Sequence, residues 1–101
     1  MAYTKGFNDP SVLTLKFTKH GALLGVNTEA EYLEMADTFL GGPRDVRTVA
    51  ECTRASDKCL LRFNHGAQLF GVLPTTQFIR TFYKFDPPPR NAKWFQKQCA
   101  S

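Results

Sequence analysis

Gly41-Gly42-Pro43 marks the point where one periodicity ends and another begins. A helix does not pass through two glycines and a proline, so whatever precedes them must close there and whatever follows must start anew. Before the break, residues 28–40 (TEAEYLEMADTFL) have the pattern of a helix. Thr28 is a natural N-cap, and Glu31 three residues on completes a capping box. Tyr32, Leu33, Met35, Ala36, Phe39 and Leu40 recur at helical spacing and give one apolar face. Residues 12–20 (VLTLKFTKH) fit either period. Leu13, Leu15 and Phe17 alternate as in a strand, whereas Leu13, Phe17 and His20 share a helical face with Gly21 as a possible stop.

After the break the segments shorten. Residues 45–52, 58–63, 67–73 and 77–84 are rich in β-branched and aromatic residues, and turn-formers at 54–57, 64–66 and 74–76 separate them. That pattern predicts a four-strand antiparallel meander. In the last strand, alternation sets Phe78, Arg80, Phe82 and Lys84 on one face and Gln77, Ile79, Thr81, Tyr83 and Phe85 on the other. Pro87, Pro88 and Pro89 stop it. Residues 91–98 can form a short terminal helix carrying Trp94 and Phe95. Helices followed by strands predict an α+β fold: N-terminal helices packed on one face of a four-stranded antiparallel sheet, with a short C-terminal helix. We expect one domain over 1–101, with a helical part at 11–42, a sheet at 45–85 and a tail or helix at 90–101.

Charge divides at the same break. Residues 1–45 carry four Lys/Arg against six acids, and residues 46–101 carry nine against three, which together give the net +4 of the chain. A basic half suits an anionic partner, although clustering of acids on one solvated helix explains the asymmetry equally well. No apolar run reaches the roughly 18 residues of a membrane span. Met1 to Pro10 lacks the apolar stretch of a signal peptide, so export is expected to depend on a larger carrier. Three cysteines, Cys52, Cys59 and Cys99, are too few for a disulfide scaffold. Cys52 and Cys59 bracket the first predicted turn and could bridge across it; two buried thiols are the expectation in a reducing cell. Their spacing supports neither a zinc site nor a Cys-His nucleophile. No cofactor or metal site is expected.

Few residues can carry chemistry. His20 titrates near neutrality and follows Lys19, a pairing suited to acid–base work on a phosphate ester. A histidine near a helix end can equally serve to satisfy carbonyls. His65 sits in a turn and is expected to be simply exposed. Thr81 and Tyr83 share a strand face and offer hydroxyls, but both are also ordinary strand residues.

Two stretches resemble a known family. LKFTKHGALLGVNTEAEYLEMADTFL (15–40) is similar to its opening, with Lys-His-Gly, a later glycine and an EYL…A..FL helix. LLRFNHGAQLFGVLPTTQFIRTFYKFDP (60–87) is similar to its close, where an R-Y-D strand leads to FGV and then IRTFFKP. The family comprises C-terminal ribonuclease toxins of the barnase, EndoU, colicin and RelE-like fold, carried by polymorphic and contact-dependent growth inhibition systems. The resemblance implies metal-independent cleavage of RNA, with tRNA the expected substrate, and neutralisation by a cognate immunity protein, expected to be acidic. It also implies a domain that is monomeric when free and delivered by a larger exported protein to act in the target-cell cytoplasm. Matched position by position, the family's His falls on His20, its Arg on Arg62 and its Thr on Thr81, with Tyr83 and Lys84 after it. The family's Tyr-Asp is Phe63-Asn64 here, which removes any role of that Asp, and its Phe-Gly is Leu24-Gly25.

These residues can be given roles in cleavage by a ribose 2′-OH. His20 acts as base or acid, Tyr83 as its partner acid, and Thr81 as a phosphate-positioning hydroxyl. Lys19, Arg62 and Lys84 supply cations. Arg80, turned away from Thr81, tracks the RNA backbone. Dependence on the 2′-OH predicts no action on DNA. The alternative is a non-catalytic RNA- or protein-binding module.

Overall fold

The structure, a computed structural model, describes residues 3–101. Three helices and a four-stranded antiparallel sheet form an α+β fold with strands in the order β1-β2-β3-β4. Helix α1 spans Pro10–Leu24, α2 Glu29–Gly41 and α3 Ala92–Ala100. The strands are β1 Val49–Thr53, β2 Leu60–Asn64, β3 Leu69–Leu73 and β4 Thr81–Lys84.

The ambiguous segment before α2 is helical. Asp9 caps it by accepting from the Ser11 N–H, and Pro10 stands where a missing N–H costs nothing. The strand-like signal came from Leu15, which is 62% exposed, whereas Leu13 and Phe17 pack inward at helical spacing. Gly21 is not the stop. It is buried inside α1 because the Phe17 ring lies 2.8 Å from where its Cβ would be. The stop is Gly25, whose φ of 74° is the left-handed cap conformation. The α2 cap is as expected, with Thr28 accepting from the Glu31 N–H at 3.1 Å. Glu31 in turn accepts from the Asn27 N–H.

The helices do not share one sheet face. Tyr32, Ala36 and Leu40 of α2 pack with Leu73, Ile79 and Phe82 on one side, joined by Leu13 and Phe17 of α1. Phe95 of α3 packs with Leu61, Phe63, Phe70, Val72 and Phe85 on the other, with Trp94 beside them. Strand alternation makes both faces apolar, so the sheet is a middle layer and α3 must cover its second face. Gly71 admits Leu40 to the first core: a Cβ there would sit 2.7 Å from a Leu40 methyl. The Tyr32 hydroxyl donates to the Phe82 carbonyl at 2.5 Å and ties α2 to β4.

Two expected strands are shorter than the sequence suggests. Residues 45–48 form a turn, in which the N–H groups of Thr48 and Val49 both bond to the Asp45 carbonyl. Residues 77–79 leave β3, and Arg80 N–H is the first to bond back to it, at Val72 O. Lys5 N–H bonds to Gln77 O and Ile79 N–H to Gly6 O, so the N-terminal segment takes over as partner. Gln77 has a φ of 71°, outside the extended region. Ile79 packs with Phe82, not on the Thr81 and Tyr83 face, so the alternation of β4 does not extend back to it. The N-terminal segment is itself anchored by buried Asp37, which accepts from Thr4 N–H and Oγ1 at 2.8 and 2.6 Å.

Cysteine pairing also departs from the expectation. Cys52 is bridged to Cys99 of α3, and Cys59 is a buried free thiol. The cross-strand partner of Cys52 is Leu61, and Arg54 N–H bonds to Cys59 O, so Cys59 stands a diagonal step away. Diagonal Cα atoms are about 7–8 Å apart, beyond disulfide reach. The bridge instead fastens the end of α3 to the edge strand β1.

Candidate functional site

β4 is an edge strand, and α1 packs along it and against α2. The C-terminal half of α1 therefore brings His20 around the sheet edge to Tyr83. Their rings stack with centroids 5.3 Å apart and planes at 27°. Tyr83 is held from behind by Phe85 at 5.0 Å and Phe70 at 6.0 Å, both edge-on. The pair lines a cleft of about 360 Å³. Lys19 and Leu23 of α1 form one wall, with Lys84 beside Tyr83. Phe85, Asp86, Pro87 and Arg90, from the segment after β4, form the other.

The two titratable rings are shifted in opposite directions. Burial, then the charges of Lys16 and Lys19, hold the His20 imidazole below its ordinary 6.5, so it is neutral at pH 7. Burial pushes the Tyr83 phenol above its ordinary 10, with the Arg90 charge opposing, so it keeps its proton. A neutral imidazole accepts a proton and a protonated phenol donates one. The cleft thus holds a base and an acid in ring contact, with cations on both sides.

Of the residues singled out from the sequence, the structure brings together His20, Tyr83, Lys19 and Lys84. It does not bring Arg62, Thr81 or Arg80 into the cleft. Arg62 lies on the α2 face, where it pairs with Glu51 at 2.7 Å and donates to the carbonyls of Phe39 and Gly42 at 3.0 and 2.8 Å. It is 11% exposed and closes the C-terminal end of α2. Thr81 is half-buried opposite Val72, on the face of Tyr83 but further along the strand. Arg80 pairs with Asp57, which also holds Arg54. His65 is exposed in its turn, as expected.

Arg90 is the cleft residue that sequence reasoning missed. It follows Pro87, Pro88 and Pro89, outside any periodic segment, and nothing local marks it as facing Tyr83. A larger concavity of about 730 Å³ runs along α2 between Val26, Met35, Phe39 and Leu69. Its walls are mostly apolar and gather no acid–base pair, so the chemistry points to the smaller cleft. Among the described residues, no group of three or more His, Cys, Asp or Glu side chains is placed to hold a metal ion. No helix among them is long and apolar enough to cross a membrane.

The chain is an α+β domain with a stacked His20–Tyr83 pair in a cleft at the sheet edge. No protein-family model, curated protein or solved structure matches the chain.

Proposed function

We propose that this chain is an endoribonuclease toxin domain that cuts RNA, tRNA first among substrates, by attack of the ribose 2′-OH and without a metal ion. The reading rests on one observation above all, the stacked His20–Tyr83 pair flanked by Lys19 and Lys84. His20, neutral, takes the proton from the 2′-OH. The 2′-oxygen attacks phosphorus, the bond to the 5′-oxygen breaks, and Tyr83 gives its proton to that oxygen. The products are a 2′,3′-cyclic phosphate and a 5′-hydroxyl; solvent returns a proton to Tyr83 and removes one from His20. Lys19 and Lys84 offset the charge that builds on the phosphorane.

A net charge of +4 with cations around the cleft favours an acidic immunity protein that covers it. The Cys52–Cys99 bridge is of the kind that persists outside a reducing cytoplasm, which supports delivery through an oxidising compartment.

The test is incubation of the purified protein with total tRNA in excess chelator, with the product ends mapped. Cyclic phosphate ends in chelator are expected, and His20→Ala should slow their appearance by about 10²-fold or more while leaving the melting temperature in place. Salt-dependent RNA binding with no cleavage would replace this reading with a non-catalytic RNA-binding module.

A further inference from the structure

The chain has six arginines, and among the described residues five of them are ion-paired: Arg44 and Arg62 with Glu51, Arg47 with Asp45, and Arg54 and Arg80 with Asp57. Arg90 is the exception. Its guanidinium lies over the Phe85 ring, 5.1 Å from the centroid, and Nη1 donates to the Pro88 carbonyl. A guanidinium has five N–H donors, so most of its capacity remains for a ligand. It lines the cleft that holds His20 and Tyr83, and its charge acts on the Tyr83 phenol.

Its position is built, not incidental. The Gln68 side-chain amide clamps the Arg90 backbone from both sides: Arg90 N–H donates to Oε1 at 2.6 Å and Nε2 donates to the Arg90 carbonyl at 3.0 Å. The same Nε2 donates to the His65 carbonyl at 2.6 Å, and the Gln68 carbonyl accepts from the Phe85 N–H at 2.9 Å. Gln68 thereby joins the β2–β3 turn, the end of β4 and the proline segment. It does so at a φ of 58°, a left-handed conformation that is costly for a residue with a Cβ.

We infer that Arg90 is a phosphate-binding cation of the cleft beside Lys19 and Lys84, in the place that the sequence reading gave to Arg62, and that Gln68 is the residue that positions it. The inference rests on the ribonuclease reading. A guanidinium presents paired donors that match two phosphate oxygens, which neither Lys19 nor Lys84 can do. Its seat on Phe85 fixes the fork before the ligand arrives.

The experiment measures binding of a 2′-O-methyl RNA oligonucleotide, which cannot be cut, as a function of salt, alongside cleavage of tRNA. Arg90→Gln should weaken binding and flatten the slope of log K against log salt by about 0.7, the value of one lost single-strand phosphate contact. Arg90→Lys should restore the slope. Gln68→Gly keeps the left-handed turn and removes the clamp; it should weaken binding in the wild-type background and add nothing to Arg90→Gln. Arg47→Gln, on the far β1 edge, should leave the slope where it is. A wild-type slope in Arg90→Gln, in a protein that still cuts tRNA, overturns the inference alone. A wild-type protein that neither binds nor cuts RNA overturns the ribonuclease reading, and the inference with it.

Discussion

His20 owes its proton affinity to where α1 places it. Lys16 precedes it by one turn and Lys19 by one residue, and the stack on Tyr83 removes water from one ring face. All three act against the protonated form. The proposed mechanism needs neutral His20 as base in the free protein, so kcat/KM should fall as pH drops through a midpoint below the ordinary 6.5. Lys16 does not line the cleft, and Lys16→Gln should move that acid limb upward, towards 6.5, with burial still holding it below. A pH profile of single-turnover cleavage checks both; an acid limb above 6.5 in the wild type would show that another group is the base. At this scale the chemistry of the side chains singled out His20, Tyr83, Lys19 and Lys84, and the packing of α1 along β4 brings them to one cleft. The sequence was misleading about Arg62 and silent about Arg90. Both depend on what stands opposite: Glu51 and the end of α2 capture Arg62, and Gln68 turns Arg90 inward.

At the scale of elements, the helices are positioned by what the sheet leaves out. Gly71 stands between Arg62 and Phe82 in the ladder, and Leu40 of α2 occupies the space that a side chain would take. Gly71→Ala should cost about 1–3 kcal/mol, because buried Leu40 has nowhere to move. Gly66→Ala serves as the control: its Cβ would meet only Asn64 Oδ1 at 3.6 Å, and the change should stay within about 0.5 kcal/mol. Chemical denaturation of the two variants gives the comparison, and equal midpoints would remove the packing argument. The elements themselves were largely legible, because caps and periodicity are local. Thr28, Glu31 and the Gly-Gly-Pro break fix α2, and turn-formers separate the strands. The failures lie where distant chain intrudes. Gln77 and Ile79 read as strand yet bond to the N-terminal segment, and Gly21 read as a stop yet is a packing notch for Phe17.

For the whole molecule, the second sheet face depends on α3, a helix of nine residues that is too short to hold itself. Phe95 and Trp94 anchor it to the aromatic cluster, and the Cys52–Cys99 bridge, 47 residues apart in sequence, fastens its end. Closing a loop of that length stabilises by about 4 kcal/mol through the unfolded state. Reduction, or Cys99→Ala, should lower stability by an amount of that order, read as a fall in melting temperature; Cys59→Ala, which keeps the bridge, should still show the fall on reduction. An unchanged melting temperature on reduction would show that the aromatic packing alone holds α3. The sequence by itself determined the element order, the meander and the charge division at residue 45, because each depends on neighbours a few positions away. Only the tertiary structure decided that the sheet is covered on both faces, that Cys52 joins Cys99, that Arg62 closes a helix and that Arg90 completes the cleft, because those pairings join residues tens of positions apart, whose meeting is set by how the layers pack.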